Sequence, residues 1–305
     1  MIKYNQQALR SCLHTHTTFC DGKADIENMC EAAFVKGFTS IGFSSHAPIS
    51  KKTGITADWI MQDHLLDKYI DAVLAARKRW EGKLAVFLGL EVDYIHGYCG
   101  PADPDIQALP LDYVLGAVHY VISPKSGEPY NADEFPETFC NVLEEFNQDG
   151  RALCEAYYAA YNNMINEGGY DILAHLDLIR KNNDLYNFFM PDENWYKEIL
   201  VKTADMIALH KNREHGRRKT IVEVNTGNVI RGYNSEAYPC LELLKLLNER
   251  NIPLTINADA HSEDQIGGCY DDSVKQIMQS GYSAVSFLER KQDGKAVWRE
   301  EVLSL

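Results

Sequence analysis

His14 and His16 stand two residues apart behind a short β-prone run, Ala8 to Leu13. Side chains two apart on a strand point to the same side, so this pair can aim two imidazoles at one point. Asp21 returns toward them on a turn supported by Gly22. Imidazole together with carboxylate suits zinc, iron or manganese, whereas a lone His-x-His is equally well a strand end with two incidental histidines. The pattern recurs. His46, Glu91, His119 and His175 each close a hydrophobic segment, and Asp259-Ala260-His261 closes the last one. Side chains of these types, gathered at the ends of successive strands, make a metal site.

The segments that must position them alternate strand and helix from end to end. After Ala8 to Leu13, strands are expected at Thr39 to His46, Leu84 to Glu91, Tyr113 to His119, Tyr170 to His175, Thr220 to Asn225 and Pro253 to His261. Their near-continuous apolar character fits a parallel sheet covered on both faces. Helices are expected over Ile26 to Lys36, Asp58 to Trp80 with an Asp cap before Trp59, Glu137 to Asn147, Ala152 to Glu167 after a break at Asp149-Gly150, Trp195 to His210 and Leu241 to Glu249, with a last one ending near Gly281. Ala284 to Leu288 and Ala296 to Val302 read as a hairpin around Asp293-Gly294. Seven βα units without a linker or compositional break predict one α/β domain over residues 1–305, a closed or nearly closed barrel, with a doubly wound open sheet as the alternative. In a βα barrel the active site lies at the C-terminal ends of the strands, where these histidines and acids fall.

Composition narrows the partners. The chain has 305 residues and a formal net charge of -14, which argues against a nucleic-acid polymer, because phosphate backbones are bound by basic surface. A small phosphate ester held by metals remains compatible. No apolar run is long enough to span a bilayer, and Met1 to Arg10 lacks the apolar core of a signal peptide. None of the 8 cysteines forms a Cys-x-x-Cys pair, so reduced thiols and a cytoplasmic location are expected. Cys20 reads as a small buried residue that can also touch the site. His64, His96, His210 and His215 read as solvated or backbone-bonded histidines, and the basic run Arg213 to Lys219 as a solvated helix end rather than a nucleic-acid patch. Phosphate loops, dinucleotide turns, His-Glu-x-x-His helices and Gly-x-Ser-x-Gly elbows are absent.

Taken as a set, His14-Thr15-His16 with Asp21-Gly22, His46, Glu91, His119, His175 and Asp259-Ala260-His261 resemble the polymerase-and-histidinol-phosphatase (PHP) family of metal-dependent phosphoesterases over nearly the whole chain. The family fold is a distorted seven-stranded βα barrel, in agreement with the strand count. Gly42-Phe43-Ser44-Ser45-His46-Ala47-Pro48, Gly116-Ala117-Val118-His119-Tyr120, His175-Leu176-Asp177-Leu178-Ile179-Arg180-Lys181, and Glu223-Val224-Asn225-Thr226 followed by Arg231 look like its histidinol-phosphatase branch. There are two departures. Ser45 precedes His46 where the family usually has Asp, and the spacing from Glu223 to Arg231 is slightly longer than usual.

The resemblance implies three divalent transition-metal ions, of zinc, iron or manganese. His14, His16, Glu91 and Asp259 would hold the first. Glu91 would bridge to a second, completed by His119 and His175, while Asp21, His46 and His261 would hold the third. Three ions bring about +6, which three carboxylates, a hydroxide and a phosphate dianion roughly offset. Arg180 and Arg231 would clamp the phosphoryl group, a surface ion pair being the other reading of each. Asp259 or His261 would protonate the leaving oxygen. Glu223 would receive the ammonium of an amino-alcohol phosphate, or else is a buried structural acid. The implied activity is hydrolysis of L-histidinol phosphate. The alternatives are a phosphatase of a nucleotide or sugar phosphate, a nuclease, and a catalytically silent metal-binding regulatory module.

Overall fold

The structure, a computed structural model, describes residues 6–212 and 220–303. Arg213 to Lys219, with His215, lie outside the described residues. Eleven strands are present among those described: β1 (Ser11–Cys12), β2 (Ser40–Phe43), β3 (Ala85–Asp93), β4 (Tyr113–Ala117), β5 (Tyr120–Ile122), β6 (Pro129–Asn131), β7 (Ile172–Leu173), β8 (Ile221–Asn225), β9 (Leu254–Asn257), β10 (Ala284–Arg290) and β11 (Ala296–Val302). Seven of them form one parallel sheet in the order β1-β2-β3-β4-β7-β8-β9. The two edges meet just past their strands. Thr15 bridges Ala260, the His16 N–H donates to Ala260 O at 2.8 Å, and the Ala260 N–H donates to His14 O at 3.1 Å. The sheet is therefore a nearly closed (β/α)7 barrel, and an open doubly wound sheet is excluded.

The barrel interior is filled rather than hollow. Leu13, Phe87, Tyr113, Leu115, Ala117, Ile172 and Ala174 pack as one buried cluster, closed off by Leu288 and Ala296 of the antiparallel β10–β11 hairpin. Tyr113 sets the local sequence. Its hydroxyl donates to Leu13 O, so the ring must cross the interior past β2 and β3. A Cβ on Gly42 would lie 2.4 Å from the Tyr113 hydroxyl, and one on Gly89 would lie 2.4 Å from its ring. Arg290 fastens the hairpin: its guanidinium sits 4.7 Å from the Phe87 ring centroid, and Nη2 donates to Asp112 Oδ2 at 2.8 Å.

Helices pack outside. Asp25 caps Ile26–Val35 by accepting from the Asn28 N–H at 2.8 Å, and Asp149 caps Gly150–Glu167 by accepting from the Ala152 N–H at 3.0 Å. No helix among the described residues is long and apolar enough to cross a membrane.

Three expectations need correction. Ala8–Arg10 is a 3-10 turn, so only the end of the first predicted strand is extended. The helix expected from Asp58 begins at Leu66, and Asp58 caps nothing. Gln62 is extended (φ -74, ψ 139) and breaks the turn, while Ile60 and Met61 are buried at the barrel rim instead of along a helix face. The strand expected to run through His119 divides at Val118, and the short β5–β6 hairpin follows.

Candidate metal centre

Parallel ladders end before most of the chemically active residues, which lets the chain turn those side chains inward over the barrel mouth. His175 (φ 22) and Asp259 (φ 50) both take positive φ just after β7 and β9. Glu91 is different. It sits within β3, bridged to His46, at 1% exposure.

Five imidazoles surround that one carboxylate. Oε2 lies 3.1 Å from His14 Nε2, 3.2 Å from His46 Nδ1 and 3.4 Å from His16 Nε2. Oε1 lies 2.9 Å from His175 Nε2 and 3.6 Å from His119 Nε2. Asp259 Oδ1 is 3.1 Å from His16 Nε2 and 3.5 Å from His14 Nε2. Asp21 completes the open edge, with Oδ1 3.3 Å from His16 Nδ1 and Oδ2 3.1 Å from His261 Nε2. All nine residues expected as metal ligands are thus brought together.

Their donor atoms fall into groups lying within 4.8 Å of one another: His16, Asp21, His46 and His261; His14, Glu91 and His175; His14, His16 and Asp259; and His46, Asp93 and His119. The first group adds His16 to the expected set, and the last adds Asp93, which sequence reasoning missed. The signal was available, because Glu91-x-Asp93 places both acids on one face of a strand. Asp93 Oδ1 lies 2.8 Å from His119 Nδ1 and fixes that ring from behind.

Two tests say that these donors suit cations. First, His16 Nε2, Asp21 Oδ1, His46 Nδ1 and His175 Nδ1 are buried without a hydrogen-bond partner, which is costly unless a ligand satisfies them. Second, the bare cluster attracts protons. Burial opposes charge on His14, but Glu223, Asp259 and Glu91 outweigh it and raise its pKa well above normal. Burial likewise opposes charge on His119, and Asp93 and Glu91 outweigh it, lifting the ring to about 9. His46 goes the other way, because burial outweighs Glu91 and lowers it to about 4. Glu91 and Asp259 are held well below the carboxylate range, since their histidine neighbours and, for Asp259, Arg231 overcome burial. A divalent ion replaces such protons.

Three predicted substrate residues fare differently. Arg231 reaches the site, donating from Nη2 to Asp259 Oδ2 and from Nη1 to Asp259 O, both at 3.0 Å. Arg180 does not. Its Nη2 donates to Glu236 Oε1 at 2.6 Å and its Nη1 to Asp177 Oδ2 at 3.4 Å, and it is not among the residues lining the cavity. Two acids claim the guanidinium, as the ion-pair reading expects. Glu223 is fully buried and engages four donors. Oε1 faces His14 Nδ1 at 2.8 Å and accepts from Asn257 Nδ2 at 3.0 Å, while Oε2 accepts from the His175 N–H at 3.0 Å and Asn225 Nδ2 at 2.9 Å. It sits behind His14 and His175 with both oxygens engaged, as the buried-acid reading expects.

Above the cluster opens a cavity of about 320 Å³. Asp21, His46, Glu91, His119, His175, Asp259, His261 and Arg231 form one side. Trp59, Asn131, Asp133, Glu134, Phe135, Leu178, Lys181 and Tyr233 line the rest of it. Trp59 stands edge-on to His46 with centroids 4.6 Å apart. Ser45, at the departure from the family pattern, meets Thr17 Oγ1 at 3.0 Å. Cys20 Sγ lies 3.5 Å from His16 Nδ1, so this thiol does touch the cluster's edge. All eight cysteines are free.

The sequence model of the PHP domain matches residues 13–226. A Deinococcus radiodurans protein named "Probable histidinol-phosphatase" is 29% identical over 280 residues, covering 91% of this chain and 96% of that one. The histidinol-phosphatase of Bacillus subtilis strain 168 is 27% identical over 269 residues, covering 85% of this chain and 96% of its own. Among solved structures, histidinol phosphate phosphatase from Lactococcus lactis, complexed with Zn, L-histidinol and phosphate, superposes with a TM-score of 0.64 at 15% identity, over 90% of this chain and 95% of that one.

Proposed function

We propose that this chain, which belongs to the PHP domain family, is a metal-dependent phosphatase that hydrolyses L-histidinol phosphate to L-histidinol and phosphate in histidine biosynthesis. The observation that carries the reading is Glu91, a single buried carboxylate with imidazoles gathered around both of its oxygens. That arrangement fits a carboxylate bridging cations. Relatives named for this activity match over nearly the full length of both chains.

Three divalent ions are proposed, of zinc, iron or manganese. His14, His16, Glu91 and Asp259 would hold one, Glu91, His119 and His175 a second, and Asp21, His46 and His261 a third. When bound, such ions supply a hydroxide at neutral pH and polarise the phosphoryl oxygens. The protein's own residues do the rest. Arg231, fixed in place by Asp259, faces the cavity and clamps the phosphoryl group. Asp93 and Glu223 hold His119 and His14 with their inner nitrogens engaged, so that the outer nitrogens face the cavity cluster. Asp259 or His261 would protonate the leaving oxygen, and His261 is the more exposed of the two, with its side chain 20% exposed against 10% for Asp259. The substrate is a small phosphate monoester rather than a nucleic-acid polymer, and the free cysteines fit a reducing, cytoplasmic setting.

The test is metal analysis of purified protein together with steady-state kinetics on a panel of phosphate esters. About three metal equivalents, loss of activity on chelation and preference for L-histidinol phosphate are expected. Full activity without metal ends the metallophosphatase reading, and a preference for a nucleotide ends the substrate assignment.

A further inference from the structure

The phosphoryl end of any ester must face the histidines and acids, so the alcohol must meet the remaining wall of the same cavity. That wall has its own chemistry. Trp59, Phe135 and Tyr233 contribute aromatic surface, Asp133 and Glu134 two carboxylates, and Lys181 one cation. Its net formal charge is 1 − 2 = −1 over those residues. Lys181 shows how the wall treats an ammonium. Its Nζ donates to Asp133 Oδ1 at 2.7 Å and lies 4.7 Å from the Tyr233 ring centroid and 5.8 Å from that of Phe135. An acid and two aromatic rings are the partners an organic ammonium needs. Asp133 has capacity to spare: it is 30% exposed, and Oδ2 makes no hydrogen bond among the described residues. Burial opposes its charge, and Lys181 and His119 outweigh burial, so the carboxyl stays ionised.

Resting on the phosphatase reading above, we infer that this wall is the alcohol subsite, that Asp133 receives the ammonium of the departing amino alcohol, and that Trp59 covers its ring. Glu223 has no part in that selection. Lys181 competes with the substrate for Asp133 and so sets how strongly a cationic alcohol is preferred.

The readout is the ratio of kcat/KM for L-histidinol phosphate to that for the matched imidazolyl-propanol phosphate, which lacks the ammonium. It is measured on metal-loaded wild type, Asp133→Asn and Lys181→Met, each checked for its thermal midpoint. The ratio cancels effects on the phosphoryl end that both esters share. Asp133→Asn should lower it by about 10- to 100-fold, less than a fully buried charge would cost because Asp133 is partly solvated. Lys181→Met should raise it, since it leaves Asp133 unpaired, and this second variant keeps the question open to refutation if Asp133→Asn fails to fold. Trp59→Leu should weaken L-histidinol phosphate more than 2-aminopropyl phosphate, which lacks the ring. If wild type prefers L-histidinol phosphate but the ratio stays at its wild-type value in both the Asp133 and Lys181 variants, the subsite assignment is wrong and the phosphatase reading stands. A wild type that does not prefer the cationic ester overturns both.

Discussion

Replacing Glu223 by glutamine tests the logic of the site more sharply than removing a metal ligand would. The carboxylate is enclosed by four donors, two on each oxygen: His14 Nδ1 and Asn257 Nδ2 on one, the His175 N–H and Asn225 Nδ2 on the other. A glutamine amide has one oxygen and one NH₂, so either orientation points an NH₂ at two donors. The asparagines cannot simply flip, because Asn257 Oδ1 already accepts from the Leu13 N–H at 2.7 Å and Asn225 Oδ1 from the Gly227 N–H at 2.9 Å. Two buried donors left unsatisfied cost roughly 1–3 kcal/mol each, or about 2–6 kcal/mol together. For a chain of 305 residues that corresponds to a fall in thermal midpoint of about 3–9 °C. One escape exists. With its NH₂ toward His14, glutamine can donate to Nδ1 if the ring adopts the other tautomer, but the proton then sits on Nε2, the nitrogen facing Glu91 and Asp259. Metal affinity would then fall by about 10- to 100-fold. Thermal unfolding of the metal-free protein and zinc competition titration measure the two costs separately. Losses of kcat/KM should be equal for cationic and neutral esters. A Glu223→Gln protein with wild-type midpoint and wild-type zinc affinity would falsify the orienting role, and a loss confined to cationic esters would return Glu223 to substrate recognition.

Other consequences can be checked independently. Glu91→Gln should lose more than one equivalent of metal by elemental analysis, because five of the six ligand histidines converge on that carboxylate; retention of full stoichiometry would show that it does not bridge. Zinc affinity should rise with pH between 6 and 9, since protons on His14, His16 and His119, whose pKa values are raised in the bare cluster, compete with the metal, that on His119 up to about 9. Competition titrations from pH 6 to 9 giving a flat profile would contradict this. Gly89→Ala should destabilise the barrel by about 1–3 kcal/mol or more in denaturant unfolding, because its Cβ would meet the Tyr113 ring at 2.4 Å and that ring is anchored through its hydroxyl.

Much of the fold was legible because it is written locally. Apolar runs such as Ala85–Asp93 and Ile221–Asn225 are buried along nearly all their length, so hydrophobicity alone marks them. Asp149-Gly150 was readable as a break because Asp149 is a helix cap, and Gly150 is required where a Cβ would lie 1.7 Å from Phe188 O. The helix expected from Asp58 failed because propensity cannot tell an apolar residue on a helix face from one on a barrel rim. Ile60 and Met61 are buried in either case, and only the extended Gln62 decides between them.

The site divides along the same line. Every expected ligand but Asp21, which lies on a turn before the first helix, sits on or just past a strand of the barrel, so a strand count and a residue type suffice to gather most of them. Groups behind and opposite the ligands obey no such rule. Glu223 and Arg180 have types suited to binding a phosphorylated amino alcohol, yet both are engaged by neighbours far off in sequence: Glu223 by His14 and by Asn257 on β9, Arg180 by Glu236, fifty-six residues away. Asp133, Lys181, Trp59 and Tyr233 come from four separate loops, and of these only Lys181 falls in a stretch that resembles the family. The part of this protein that strips phosphate is therefore strand-borne and readable from sequence. The part that would choose the alcohol is loop-borne, and becomes visible only when the loops are seen closing over one cavity.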